Sequence, residues 1–241
     1  MKKALVVLLG LLGSKMGALA AVEAQEPRFK CGFYGGGSIN FERMSGDRSD
    51  GVFTPGAGPG DPDDTFFYVN NDGLSDNTGG FEFFLGYLYR FSNSNIVLGL
   101  EPYGGYKWNE DTASGLEPTI GFRETAKIQR EWDFGALVRL GCILQEAYLL
   151  YTVVGPDWGY FKYKHEESGT PGTNFDNKWI VGIRYGVGLE KQFETFRVGV
   201  QLTMTNYNNT TFNAHDSTSS NNFGIIKANI ATVGFRVSYP F

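Results

Sequence analysis

The segment 227–241 alternates strictly between apolar positions and polar or small positions. Every second residue back from position 241 is apolar, and these residues are Phe241, Tyr239, Val237, Phe235, Val233 and Ala231. The intervening positions are polar or small, such as Arg236 and Ser238. Because successive side chains of a β-strand point to opposite faces, this segment is predicted to be a strand with one apolar face and one polar face.

The same alternation predicts seven further strands. Their predicted ranges are 33–42, 80–91, 96–108, 130–142, 147–164, 178–190 and 196–207. The clearest case is 80–91, where one face carries Phe81, Phe83, Leu85, Tyr87, Tyr89 and Phe91. In 147–164 the alternation is interrupted at Gly155-Pro156-Asp157, and a bulge or bend is expected there because proline cannot donate a hydrogen bond to a sheet.

The connections between these strands alternate in length. Short turns are predicted at Ser92 to Asn95, near Gln145-Glu146 and at Lys191 to Thr195. Long polar loops are predicted at about 43–78, 109–129, 165–177 and 208–226. Short turns at one end and long loops at the other are typical of an all-β, eight-stranded antiparallel transmembrane β-barrel. The short apolar run Phe66 to Val69 leaves a ten-stranded barrel as an alternative.

Charged residues support this interpretation, because eleven of those within the predicted strands lie on the face opposite the apolar side chains. Leaving aside the first strand and the interrupted one, these residues are Glu82, Arg90, Glu101, Lys107, Glu131, Asp133, Arg139, Arg184, Glu190, Arg197 and Arg236. A basic residue facing lipid at mid-membrane would cost about 2–4 kcal/mol. An eight-stranded barrel is narrow enough for side chains to fill it, so a lumen plugged by paired charges is predicted.

The N-terminal segment predicts export from the cytoplasm. Two lysines, a short apolar run from Ala4 to Leu12 and small residues up to Ala24 are typical of a secretory signal peptide, assigned to 1–24. Residues 25–241 then form the barrel. The net charge of −5 argues against a nucleic-acid partner. Cys31 and Cys142 both fall near the short-turn ends of strands, and whether they form a disulfide is left open.

Three stretches resemble known outer-membrane proteins. They are Gly35-Gly36-Gly37 in the first strand, Gly-Val-Gly-Leu-Glu at 186–190, and the ending Val-Gly-Phe-Arg-Val-Ser-Tyr-Pro-Phe, in which Pro240 is a departure. The layout is similar to small bacterial barrels of the opacity and porin-like surface-antigen type, and to the membrane domain of the OmpA family. The resemblance implies a Gram-negative outer-membrane location in contact with lipid and lipopolysaccharide. It also implies that Val233, Phe235, Val237, Tyr239 and Phe241 act as the signal read by the barrel-assembly machinery.

The expected function is that of a structural barrel whose loops serve adhesion or surface interaction with an extracellular or host-surface ligand, without enzymatic activity, metal or cofactor. The alternatives are a small low-conductance porin and, more weakly, a lipid A-modifying enzyme. For the enzyme, His215-Asp216-Ser217 falls in a predicted polar loop, and Asn229 occupies the position where an acid would be sought.

Three further groups of residues were weighed as sites. A calcium site at Asp61, Asp63 and Asp64 lacks the spacing of a known binding loop. His165 with Glu166 and Glu167 is expected to be the solvated base of a loop. The tryptophans Trp108, Trp132, Trp158 and Trp179 are expected to form interfacial aromatic girdles.

Overall fold

The computed structural model describes residues 28–54, 64–116, 123–167, 173–215 and 221–241. Nine strand segments run through these residues. They are β1 Gly32–Thr54, β2 Asp64–Arg90, β3 Ile96–Leu116, β4 Arg123–Leu144, β5 Tyr148–Glu167, β6 Thr173–Gln192, β7 Arg197–Tyr207, β8 Thr210–His215 and β9 Asn221–Pro240. In the described part of the chain, no helix is long and apolar enough to cross a membrane.

The strands close into an antiparallel barrel. Each strand pairs with the next along the chain, β7 pairs with β9, and β9 pairs back to β1. β7 and β8 are separated only by Asn208-Asn209 and pair with successive parts of β9, so together they act as one strand of the barrel. The nine segments therefore form eight barrel strands. The eight-stranded prediction is therefore confirmed. The ten-stranded alternative is wrong, because Phe66, Phe67 and Val69 pair within the β1–β2 ladder.

The strands are tilted relative to the barrel axis. A path from partner to partner leaves β1 at Arg43, passes through β9, β7, β6, β5, β4, β3 and β2, and returns to β1 at Phe33, ten residues away. With about 3.3 Å per residue and about 4.8 Å between strands, this displacement corresponds to a tilt of about 40°. Residues at equal height therefore shift by about one position from each strand to the next.

A belt of apolar side chains surrounds the lower half of the barrel, the half that holds residues 28–31, Phe241 and the tight turns. The belt includes Phe33, Ile39, Phe41, Phe81, Phe83, Leu85, Leu98, Leu100, Phe134, Val138, Leu140, Leu150, Val154, Ile183, Val187, Leu189, Val198, Val200, Leu202, Val233, Phe235 and Val237. Phe83 is 67% exposed and Ile39 64% exposed. Apolar exposure on this scale is unfavourable in water and favourable in lipid. The predicted alternation is confirmed.

The tryptophans form an arc at the upper edge of this belt. Trp108, Trp132, Trp158 and Trp179 lie on four consecutive strands, β3 to β6, at similar heights. Their neighbours are also aromatic. Trp158 stacks on Phe134 with ring centroids 5.3 Å apart, and Trp132 meets a tyrosine ring at 4.8 Å. Tryptophan is enriched at lipid–water boundaries, so this arc marks the upper boundary of the bilayer.

Above the tryptophan arc the strands continue and their polarity reverses. β1 runs on to Thr54 and β3 to Leu116, so most of the predicted loops 43–78, 109–129, 165–177 and 208–226 is paired sheet. In this upper half Arg43 and Asp47 point outward, whereas Met44 is buried inside. The loop boundaries were wrong because a strand in water needs its apolar face inside, the opposite of a strand in lipid.

The ladders depart from regular pairing in places that the sequence did not indicate. Register shifts occur between Tyr106 and Asn109 in β3, between Arg130 and Trp132 in β4, and around Asp50 in β1. At Gly155-Pro156-Asp157, where a bulge or bend was predicted, there is no register shift. β5 pairs with β6 throughout, but its ladder with β4 is interrupted at Gly155 and Pro156. The tight turns at 92–95 and 145–147 are confirmed. The three-residue turn 145–147 has Gln145 and Glu146 at positive φ.

Candidate functional site: the filled interior of the barrel

The lower mouth of the barrel is crossed by the chain segment 28–31. The backbone N–H of Phe29 donates to the carbonyl of Glu146 at 2.6 Å, and Lys30 Nζ donates to the carbonyl of Glu194 at 2.9 Å. Phe29 is buried, and the guanidinium of Arg197 lies 4.5 Å from its ring centroid. The segment is therefore tied to two different turns and closes the opening between them.

A lower apolar layer fills the interior around Phe29. Its buried side chains are Phe29, Tyr34, Phe84, Leu88, Val97, Tyr103, Leu137, Ile143, Leu149, Tyr151 and Val153. These residues come from the N-terminal segment and from β1 to β5, and the tyrosines point their hydroxyl groups up into the next layer. This layer excludes water from the short-turn end of the interior.

The lower ion-pair cluster comprises Glu101, Arg139, Glu190 and Arg236. Arg139 Nη1 lies 2.9 Å from Glu101 Oε2, and its Nη2 lies 2.7 Å from Glu190 Oε1. Arg236 reaches the same two acids at 2.7 Å and 3.4 Å. All four side chains are at most 3% exposed. Two arginines and two glutamates therefore neutralise one another in a site without bulk water.

The upper ion-pair cluster comprises Glu42, Glu82, Lys107, Arg130, Asp133, Asp157 and Arg184. Arg184 joins three of its acids. Its Nη1 lies 2.6 Å from Glu82 Oε1, and its Nη2 lies 2.7 Å from both Asp133 Oδ2 and Asp157 Oδ2. The guanidinium also sits 4.3 Å from the centroid of the Tyr103 ring. One side chain thus links β2, β4, β5 and β6 across the lumen.

Lys107 and Arg130 complete the upper ion-pair cluster. Lys107 Nζ lies 2.9 Å from Glu42 Oε1 and 2.8 Å from Glu82 Oε1. Arg130 binds Glu42 through Nη1 at 2.8 Å and Asp133 through Nη2 at 2.6 Å. Every member has a side chain no more than 6% exposed. Removing one member of such a buried network leaves a partner charge uncompensated, which is strongly unfavourable.

Three inward-facing tyrosines lie across glycines of the neighbouring strand. The pairs in the ladder are Tyr34 with Gly86, Tyr103 with Gly135, and Tyr151 with Gly188. A Cβ atom at position 135 would lie 2.7 Å from Tyr103 Cζ, and one at position 188 would lie 2.7 Å from Tyr151 Cε2. Each glycine therefore supplies the space in which a tyrosine ring lies flat along the wall.

The tyrosine hydroxyls join the apolar and ionic layers. Tyr34 OH donates to Glu101 Oε2 at 2.6 Å, and Tyr103 OH donates to Asp157 Oδ2 at 2.6 Å. Tyr207 OH donates to the other carboxylate oxygen of Asp157. Hydrogen bonds to ionised groups contribute more than neutral ones, so these tyrosines stabilise the buried carboxylates as well as filling space.

An upper apolar layer covers the upper ion-pair cluster. It consists of Met44, Leu74, Ala126, Ile128, Phe161, Tyr163, Ile180, Tyr207, Phe212, Ile226, Ala228 and Ile230. Above the membrane, this layer is the hydrophobic core of a water-surrounded barrel.

A buried arginine ties three strands together near the top of the upper apolar layer. Arg48 Nε lies 2.5 Å from Asp50 Oδ2, its Nη1 lies 2.9 Å from Asp111 Oδ2, and its Nη2 donates to the Ala126 carbonyl at 2.6 Å. Burial raises the pKa of the Asp50 carboxyl, and the Arg48 charge opposes that rise. On the outer surface, the hydrogen bond from Lys127 lowers the pKa of the Glu110 carboxyl.

The structure places most of the predicted lumen charges in the two clusters or beside them, with two corrections. Arg90 is exposed at the first tight turn, where it donates to the Ser94 carbonyl and to Asn95 Oδ1. Glu131 is only partly buried and pairs with Lys162 at 2.7 Å. The shift between Arg130 and Trp132 explains the second correction, because it turns Arg130 inward in place of Glu131.

Sequence reasoning missed Glu42, Arg130 and Asp157 as members of the upper cluster. Glu42 was on the polar face of the first predicted strand, and Asp157 was in the interrupted strand, so both signals were present in the sequence. Arg130 carried no signal, since its orientation depends on the register shift. Arg197 lies below the clusters at the lower mouth, where its Nε donates to Gln192 Oε1 at 3.0 Å.

The remaining candidates either lie outside the described residues or are not brought together as a second site within them. Asp61, Asp63, Asp216, Ser217 and the segment 1–24 lie outside the described residues, and His215 is the last residue of β8. His165 is buried in β5, so the prediction that it lies in solvent at the start of a loop was wrong. Cys31 and Cys142 are both free. Among the residues that the structure covers, no group of three or more His, Cys, Asp or Glu side chains could hold a metal ion.

A closed sheet with apolar side chains outside and paired charges inside is suited to lipid rather than to water. The chain is an eight-stranded transmembrane β-barrel. No protein-family model matches it, and no curated protein matches it.

The chain is similar, at low identity, to several solved structures. Neisserial surface protein A is 10% identical, with 87% of this chain and 97% of that chain covered and a TM-score of 0.41. OprG of Pseudomonas aeruginosa is 12% identical, with coverage of 90% and 99% and a TM-score of 0.48. The attachment invasion locus protein of Yersinia pestis, solved with the heparin analogue sucrose octasulfate, is 15% identical, with coverage of 83% and 98% and a TM-score of 0.31. The fold is assigned from this chain's own strand pairing.

Proposed function

We propose that the protein is a closed structural barrel of the outer membrane that displays its upper strands and loops outside the cell for adhesion or surface interaction. The observation that carries this proposal is that the interior of the barrel is filled, layer upon layer, from the lower mouth upward. Segment 28–31, the lower apolar layer, the two ion-pair clusters and the upper apolar layer follow one another without a wide gap. A barrel filled in this way serves as an anchor and a platform rather than as a pore or an enzyme.

The filled interior also argues against the porin alternative. A cavity of about 10 Å³ lies between the two ion-pair clusters, lined by Ser38, Asn40, Glu82, Gln201, Thr203, Thr232, Gly234 and Arg236. A space of this size is about that of one water molecule. An ion crossing the barrel would have to break buried ion pairs and pass two apolar layers.

Planar-bilayer recording on the purified, folded protein tests the closed lumen. The expected result is a current that stays at the lipid baseline, without discrete steps, because no water-filled path joins the two mouths. A large porin inserted in the same bilayers serves as the positive control, and heat-modifiable gel migration verifies that the added protein is folded. Reproducible conductance steps from the folded protein would refute the closed-lumen proposal.

Labelling of intact cells tests the proposed orientation. Cys31 and Cys142 are first replaced by serine, and a single cysteine is then introduced at Asp47, in the upper half, or at Ser92, in a tight turn. Both positions are exposed. A membrane-impermeant maleimide is expected to label the Asp47→Cys protein on intact cells and the Ser92→Cys protein only after the outer membrane is permeabilised. The reverse pattern would mean that the upper half faces the periplasm.

The partners that we propose follow from this orientation. Lipid and lipopolysaccharide surround the belt, and an extracellular or host-surface ligand contacts the loops. Val233, Phe235, Val237 and Tyr239 point outward from β9, and Phe241, the next residue after β9, is also exposed, so an assembly factor can reach them before the barrel closes. We propose no enzymatic activity, cofactor or nucleic-acid partner.

A further inference from the structure

The tryptophan arc leaves a gap on the opposite side of the barrel. The outward positions at that height on β7, β9, β1 and β2 carry polar or small residues instead of aromatic ones. These residues are Asn206, Asn229, Ala231, Arg43, Asn77 and Gly79. The bilayer boundary on this side is therefore formed by amide groups, one guanidinium and exposed small side chains.

An apolar depression lies in this gap, on the outer surface of the barrel. Its volume is about 790 Å³, and it is bounded by Phe41, Tyr185, Val187, Leu202, Met204 and Val233, with the small residues Gly79, Gly186 and Ala231 at its base. Below it, around Gly37, a second depression of about 390 Å³ lies between Ile39, Phe81, Phe83 and Phe235. From Arg43 to Gly37 this surface descends about 15 Å into the apolar belt.

Arg43 stands at the upper edge of the first depression. It is exposed, and within the described residues no ion pair or hydrogen bond holds its guanidinium. In the β1–β9 ladder Arg43 pairs with Ala231. Two residues further up β9, Asn229 pairs with Ser45 of β1 and with Asn206 of β7. The outward acid on the same strand, Asp47, is four residues higher, or about 13 Å along the chain. Arg43 is thus a free cation, with amide donors beside it and an apolar depression beneath it.

We propose that this surface binds one phosphate-bearing lipid of the surrounding leaflet, with the phosphate on Arg43 and an acyl chain in the depressions below. Charge complementarity identifies the headgroup, because guanidinium groups bind phosphate through paired N–H donors. Both depressions lie within the lipid-facing belt, below Arg43. The part of the ligand that occupies them is therefore an acyl chain. This inference rests on the membrane-embedded barrel and does not depend on the closed lumen or on the loops.

Native mass spectrometry of the folded protein in detergent tests the site. The probes are dioleoyl phosphatidic acid, dioleoylglycerol, which has the same chains without phosphate, and inorganic phosphate alone. One phosphatidic acid is expected to bind per barrel, about ten-fold more tightly than dioleoylglycerol, because one charge-assisted contact is added. Arg43→Gln is expected to abolish this preference, and Arg43→Lys to keep most of it.

Two further variants separate the lipid site from general effects. Ala231→Trp fills the depression from the lipid side and is expected to weaken binding of both dioleoyl lipids. Lys227→Gln removes another outward cation of β9, above the boundary, and is expected to leave binding unchanged. Heat-modifiable migration confirms that each variant is folded.

Three results would overturn the proposal. They are equal binding of phosphatidic acid by wild type and Arg43→Gln, binding of inorganic phosphate as tight as that of the lipid, or a protein dimer that Ala231→Trp dissociates without any lipid bound. None of these results bears on conductance, so the closed-lumen proposal is tested separately.

Discussion

Replacing Arg184 with methionine is expected to destabilise the folded barrel by about 3–5 kcal/mol. The substitution keeps much of the side-chain length but removes the charge that Glu82, Asp133 and Asp157 share at 2.6–2.7 Å. These carboxylates cannot be hydrated in place, because apolar layers lie above and below them. Urea unfolding of the protein in lipid vesicles, followed by the loss of the fast-migrating folded band on gels, measures the change.

Arg90→Met is the matched control for this experiment. Arg90 is the last residue of β2, is exposed, and donates to the Ser94 carbonyl and to Asn95 Oδ1 in the first tight turn. Its removal is expected to cost at most about 1 kcal/mol, as for other solvated charges. If both variants unfold at the same urea concentration, the upper ion-pair cluster does not contribute to stability as described.

Gly135→Val is expected to destabilise the barrel by about 3–5 kcal/mol, the sum of overpacking and of a buried group left without its donor. The added Cβ would clash with the Pro156 carbonyl oxygen and lie 2.7 Å from Tyr103 Cζ, so both the β5 backbone and the tyrosine ring must move. Moving the ring withdraws its hydroxyl from Asp157 Oδ2, now 2.6 Å away, and its face from the Arg184 guanidinium. The same urea experiment measures this effect.

Gly104→Val tests whether the effect depends on the inward face. Gly104 lies beside Tyr103 in β3 but points to lipid, and the nearest atoms to an added Cβ are 3.6 Å and 3.8 Å away. Added apolar area in the belt is expected to leave stability unchanged or slightly higher. A loss similar to that of Gly135→Val would show that strand propensity, rather than the tyrosine packing, explains both results.

The membrane-spanning half could be predicted from the sequence because lipid imposes one rule on every outward position. In segments such as 80–91 each second residue must be apolar, and the intervening Glu82 must then face the lumen. The same alternation recurs in eight segments, which gave the number of strands. The short connections between them predicted the tight turns and a closed barrel. The strand prediction failed beyond Phe41, because above the bilayer boundary the outer surface of the barrel faces water. There the inward face, which is polar within the membrane, carries apolar core residues such as Met44.

The membership of the clusters could be predicted only in part. Inward charges on regular strands, such as Glu101 and Arg139, were found from alternation alone. Arg130 was missed because the register shift before Trp132 reverses its direction, and such a shift has no clear mark in the sequence. Which charges meet is also set by strand tilt. Arg236 and Glu101, for example, are 135 residues apart in the chain and come together from strands that are not neighbours.

The pairing of β1 with β2 continues beyond the tryptophan arc and extends the barrel wall well above the lipid. The ladder extends from Arg43 to Thr54, which at the strand tilt gives a stem roughly 25–30 Å tall above the lipid boundary. A stem held by hydrogen bonds and by its own apolar filling does not fold back onto the membrane as an unstructured loop does. In the orientation proposed above, this stem rises outside the cell, so a large object approaching the cell meets the stem before it meets the lipid surface.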